Sequence, residues 1–239
     1  MTGGGLFVLP RRRTEIAPGA VHVPDWLSVT RQRELVAACR AWARGPVPLR
    51  HTVLPGGGVM SVRTVCLGWH WLPYRYSRTA DDVNGARVVP FPDWLGDLGR
   101  AAVAAAYGDG ADGGGLAGDR AEARRYAPDA ALVNFYEAEA RMGMHQDREE
   151  RSDAPVVSLS IGDRCVFRFG NPESRGRPYT DVELASGDLF VFGGASRFAY
   201  HAVPRVYPGT GDPALGMRAG RLNITLRETG LRYGTDAAR

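Results

Sequence analysis

The chain has 239 residues, 44% hydrophobic and 23% charged, a composition that suits one large domain with a buried core. It contains no run of eighteen apolar residues, so a membrane-spanning helix is not expected. Met1–Gly5 lacks the basic and apolar segments of a signal peptide, and the expected location is cytoplasmic. The formal charge is +4, and all 30 cations are arginine because lysine is absent. Genomic bias accounts for that pattern as well as function does, although guanidinium groups suit phosphate. Arg63, Arg75, Arg78, Arg148, Arg151, Arg168, Arg175 and Arg177, interleaved with Trp69, Trp71, Tyr74 and Tyr76, are compatible with a nucleic-acid contact without establishing one. Cys39, Cys66 and Cys165 are far apart and unpaired in pattern. That argues against zinc or disulfides and for small buried apolar residues.

Along the chain, residues 1–20 show little periodicity and are expected to run over the surface. Leu35, Val36, Cys39 and Trp42 recur at helical spacing and predict a helix from Val29 to Ala43, with Ser28 or Thr30 as N-cap. Gly45-Pro46 ends it. Pro55-Gly56-Gly57-Gly58 predicts a turn between two short strands, the second running from Val59 to Leu67. Arg87–Pro92 reads as a connector into a second helix, Asp93–Tyr107, and Gly108–Gly118 as a mobile glycine-rich loop. From there short strands follow one another: Leu132–Tyr136, Val156–Ile161, Cys165–Phe169, Tyr179–Leu184, Asp188–Phe192, His201–Val206 and Arg221–Leu226. Glycine or proline separates many of them, which predicts an antiparallel sandwich or jelly roll.

His145 and Asp147 are two residues apart, so in an extended segment both project to one side and can share a metal. His201, opening a later strand, can complete a set of two imidazoles and one carboxylate. Such a facial triad leaves three positions of an iron(II) ion open. Each part alone is also what a loop histidine beside a surface carboxylate, or a satisfied core histidine, looks like. The last strand weighs against that. Arg221, Asn223, Thr225 and Arg227 alternate with Leu222, Ile224 and Leu226, giving one polar cationic face and one aliphatic face. A half-exposed strand alternates in the same way. Two arginines facing into a barrel, however, need an anion, and the carboxylate of 2-oxoglutarate would meet one through paired hydrogen bonds. Asn134 and Tyr136 share a face of an earlier strand and could bind the same molecule. Asp188 before Gly193-Gly194 reads as turn chemistry.

Several runs together resemble the AlkB family, in order and over most of the chain beyond residue 50. They are Leu132–Tyr136, His145-Gln146-Asp147, Ala154–Ser160, Phe192–Arg197, Tyr200-His201 and Arg221–Arg227, with Pro55-Gly56-Gly57, Met60-Ser61-Val62 and Leu67-Gly68-Trp69 upstream. The resemblance implies an α+β fold with a mainly β core: a double-stranded β-helix (jelly roll) with flanking helices and an N-terminal nucleotide-recognition lid. Residues 1–50 would be an extension and helix, 51–92 the lid, and 93–235 a helix plus the catalytic core. It implies iron(II) on His145, Asp147 and His201, and 2-oxoglutarate on Asn134, Tyr136, Arg221, Asn223 and Arg227, with dioxygen as co-substrate. A flipped alkylated base would lie between Trp69 and His145, and Tyr74 or Tyr76 would touch the base or its phosphate. Glu149 stands where the best-known bacterial member has aspartate, a longer arm toward the base. The segment from Trp69 to Tyr74 is also shorter. The implied activity is oxidative demethylation of bases such as 1-methyladenine and 3-methylcytosine in alkylated DNA, single- or double-stranded, by a monomer without membrane contact. RNA or tRNA is the alternative substrate, and a noncatalytic nucleic-acid-binding module the alternative class.

Overall fold

The computed structural model describes residues 11–108 and 125–231. The readings made for Met1–Gly5 and for most of the glycine-rich loop lie outside them. Two helices form where helical spacing predicts them: α1 (Val29–Trp42), capped by the Ser28 side chain accepting from the Arg31 N–H, and α2 (Asp93–Tyr107). The strands are β1 (Thr14–Ala17), β2 (Ala20–Val23), β3 (Arg50–Val53), β4 (Val59–Leu67), β5 (His70–Leu72), β6 (Arg75–Ser77) and β7 (Ala130–Tyr136). They continue with β8 (Met142–His145), β9 (Val156–Gly162), β10 (Arg164–Phe169), β11 (Thr180–Leu184), β12 (Leu189–Phe192), β13 (His201–Tyr207) and β14 (Arg221–Arg227).

Among the described residues, eight strands make a major sheet in the order β1-β2-β12-β9-β14-β7-β4-β3, and four make a minor sheet, β11-β10-β13-β8. Period-2 alternation sorts the side chains. On β12, Phe190 and Phe192 pack with Phe167 and Phe169 of the minor sheet, while Leu189 and Val191 join α1 and α2 on the other face. Each fully buried phenylalanine contributes roughly 2 kcal/mol. The mainly β jelly roll with flanking helices is what the strand succession predicts.

Two expectations change. The hairpin β1–β2 does not merely run over the surface: β2 pairs with β12 and extends the major sheet. Four-residue strands carry too little alternation to be read locally, and their partner lies far along the chain. The span 51–92, expected as the lid, also shares the major sheet with the core, because β3 pairs with β4 and β4 with β7. Only the small hairpin β5–β6 and the loop to α2 stand apart from it.

Candidate active site

β8 and β13 pair antiparallel with His145 opposite His201, which brings their ring centroids to 4.3 Å. Asp147 lies just past the end of β8 and is buried. Its Oδ1 is 3.7 Å from His145 Nε2, and its Oδ2 is 3.7 Å from His201 Nε2. The three candidate ligand atoms all lie within 4.8 Å of one another. Each Nδ1 is hydrogen-bonded to a backbone carbonyl, Gly143 for His145 (2.9 Å) and Ala199 for His201 (3.0 Å). A carbonyl only accepts, so Nδ1 carries the proton and Nε2 keeps its lone pair for a metal. Burial, then the neighbouring His145, lowers His201 to about 4. Burial alone would raise the Asp147 carboxyl, but Arg227 and then the two histidines hold it well below the usual range. Two neutral imidazoles and one carboxylate are the donor set that suits iron(II), and the buried Asp147 Oδ2 has no hydrogen-bond partner among the described residues.

Behind the triad is a compact ion network. Arg227 Nη2 reaches Asp147 Oδ1 at 2.7 Å, and its Nη1 donates to Glu150 (2.9 Å) and to the Tyr76 hydroxyl (3.0 Å). Tyr76 in turn donates to Glu150 (2.6 Å). Arg197 donates to Glu150 (3.1 Å) and to the backbone carbonyls of Asp147 and Ala154. Asp147, Glu150, Arg197 and Arg227 are all buried, so two anions face two cations. The network fixes both the charge and the angle of the metal-side carboxylate.

In front is a cavity of about 500 Å³, lined by the triad and by Asn134, Tyr136, Arg221, Asn223 and Arg227. Arg221 is 1% exposed; it donates to Ser160 (3.0 Å), while its Nε and Nη1 are buried without a partner among the described residues. A buried cation left in that state is costly unless an anion joins it. The geometry fits a dicarboxylate with one end at the metal and the other on Arg221. Burial raises the Tyr136 hydroxyl to about 12 against the pull of Arg221, so it stays a donor. Glu149 is half-buried at the wall, and burial raises its carboxyl despite Arg227.

The structure thus gathers the metal-ligand candidates and all five co-substrate candidates into one space, together with Tyr74 and Glu149. It does not bring Trp69 or Tyr76 there. Trp69 is 3% exposed, its Nε1 donates to Asp129 (2.9 Å), and the Arg78 guanidinium sits 3.3 Å from its ring centroid. Tyr76 serves the ion network instead. The tryptophan at the cavity wall, among the described residues, is Trp71. Glu150 and the role of Arg197 escaped the sequence reading; a buried ion pair leaves no periodic signal, although Arg197 lay in a recognised run.

The sequence profile described as the 2OG-Fe(II) oxygenase superfamily matches residues 19–227. A protein of Arabidopsis thaliana, DNA N(6)-methyladenine demethylase ALKBH1C, is 31% identical over 90% of this chain and 49% of its own. The alpha-ketoglutarate-dependent dioxygenase AlkB homolog of Caulobacter vibrioides is 35% identical over 93% of each chain. This chain spans about half the length of the Arabidopsis relatives and nearly all of the Caulobacter one. The solved structure of OsALKBH1 superposes with a TM-score of 0.78 at 28% identity, covering 91% of this chain and 100% of that one.

Proposed function

The chain belongs to the AlkB family of the 2OG-Fe(II) oxygenase superfamily, and on that premise we propose that it oxidatively removes methyl groups from nucleobases in DNA. What supports the reading most is Arg221, a buried guanidinium without an anion that lines the same cavity as the metal ligands. When bound, iron(II) with 2-oxoglutarate and dioxygen supplies the oxidation that hydroxylates an N-methyl carbon, giving succinate and carbon dioxide, and the methyl leaves as formaldehyde.

The chain's own residues do the rest. His145, Asp147 and His201 hold the metal, and Arg227 keeps Asp147 ionised and turned toward it. Arg221, Tyr136, Asn134 and Asn223 seat the dicarboxylate. The cavity walls hold the methyl group near the metal while excluding water. Glu149 places a carboxylate at the wall, which favours a cationic base such as 1-methyladenine or 3-methylcytosine over a neutral one. The Arabidopsis relatives, by contrast, are named for N6-methyladenine, a neutral base.

The test is anaerobic iron loading followed by a mass-spectrometric screen of DNA and RNA oligonucleotides bearing 1-methyladenine, 3-methylcytosine or N6-methyladenine. Methyl loss that depends on 2-oxoglutarate, and is greatest for the cationic bases in DNA, is the expected result. Conversion of 2-oxoglutarate with every strand left intact would remove the nucleobase reading.

A further inference from the structure

β5 alternates, so His70 and Leu72 are buried on one side while Trp71 between them turns to the catalytic cavity. Trp69, two positions earlier, has left that side. It follows Gly68, whose φ of +75° and close approach to the Asp129 carbonyl exclude any side chain. The indole of Trp69 is then held at both ends: its N–H donates to Asp129, and Arg78 covers its ring while donating to the Gly68 carbonyl (2.9 Å). Asp129 is itself committed to the Thr229 N–H and hydroxyl, both at 2.7 Å, just past the end of β14. To stack on a ligand, Trp69 would have to break this whole clamp. Trp71 faces no such cost. It is half-buried, its backbone N–H donates to Cys66 Sγ (3.5 Å), and its indole N–H has no acceptor among the described residues. Leu54, Met60 and Tyr74 line the same cavity, and Tyr74 is 73% exposed.

We propose that Trp71, not Trp69, is the residue that stacks on the extruded base and sets the preference for methylated cationic bases, while Trp69 is a strut joining the lid to the catalytic sheet. The inference rests on the demethylase reading above. A tryptophan face attracts a cationic ring through its quadrupole, which a neutral base does not match. A lid with few residues between Gly68 and Tyr74 leaves the inward-facing position of β5 to carry that face.

The experiment compares Trp71→Ala, Trp71→Phe, Trp69→Ala and Trp69→Phe with the parent protein. It measures affinity for a single-stranded oligonucleotide with one 1-methyladenine and for the same strand unmethylated, alongside 2-oxoglutarate affinity and thermal midpoint. Trp71→Ala should lower the methylated-over-unmethylated ratio about tenfold, with 2-oxoglutarate affinity and melting little changed, and Trp71→Phe should restore most of it. Trp69→Phe and Trp69→Ala should lower the melting temperature and leave the ratio intact. A ratio lost in a folded Trp69→Phe but kept in Trp71→Ala overturns the assignment. A parent protein that turns over methylated strands while neither tryptophan matters sinks this proposal alone. One with no preference for methylated strands and no turnover sinks the demethylase reading with it.

Discussion

Two buried clusters in this protein are built from the same parts, an aspartate, histidine and arginine, and they do different things. Asp188 lies between β11 and β12 with its side chain fully buried, and every side of its carboxylate is used. It accepts from Arg11 twice (2.7 and 2.8 Å), from the backbone N–H of Asp25 and Ala185, and pairs with His22 at 2.9 Å. Asp147 has Arg227 on one oxygen, two histidines at 3.7 Å, and a second oxygen with no hydrogen bond. Burial is equal, and satisfaction is not. A complete set of partners marks Asp188 as a tie holding the N-terminal hairpin to the sheet. The unfilled valence of Asp147, like that of Arg221, marks a place kept for something else.

The sharpest way to break the comparison is to delete each aspartate. Asp147→Ala should abolish demethylation per folded molecule, a loss of at least about a thousandfold. Turnover near the parent level would remove Asp147 from the metal site. Arg221→Met extends the contrast to the far end of the cavity. The 2-oxoglutarate dissociation constant should rise about a hundredfold, because a buried guanidinium and its carboxylate part company. The free variant should nevertheless melt no lower and gain about 1 kcal/mol, since a costly unpaired cation is gone. Unchanged affinity for 2-oxoglutarate would place the anchor elsewhere.

Asp188→Asn should behave in the opposite sense, destabilising by about 2–3 kcal/mol at neutral pH with activity per folded molecule retained. Its dependence on acidity follows from the pair itself. Burial alone would raise the Asp188 carboxyl, but His22 and Arg11 bring it below the ordinary value. The stabilisation is therefore whole above the unfolded carboxylate range near ~4 and is lost as pH falls through the lower folded value. Melting curves of the two proteins should converge in that acidic window. A gap that persists or widens there would mean the carboxylate charge is not what holds the hairpin.

Legibility in the sequence followed periodicity. Arg221–Arg227 could be read because seven residues alternate without a break, and all of them are buried in the structure between two partner strands. His145 and Asp147 were readable as a spacing, and β13 supplies His201 through a register that no local pattern encodes. Trp69 and Trp71 have the same identity and the same parity, so alternation could not separate them. The turn at Gly68 and the Asp129–Arg78 clamp decided which one faces the cavity. The hairpin β1–β2 and the Glu150 network were illegible for a related reason: each depends on partners far along the chain, chosen by packing.

Glu150 supplies the smallest effect and the finest test. It takes hydrogen bonds from Arg197, Arg227 and Tyr76, and its side chain is fully buried. Glu150→Gln keeps the volume and one carbonyl acceptor but leaves two buried guanidiniums facing a single aspartate. Arg227 then shifts its charge toward Asp147, pulling that carboxylate away from the direction of the histidines. Iron(II) affinity should fall about tenfold, as expected for a residue acting through a metal ligand. Affinity for 2-oxoglutarate measured without metal should stay unchanged, because Arg221 and Ser160 are untouched. Equal loss of both would mean that Glu150 supports the sheet as a whole rather than the angle of one carboxylate.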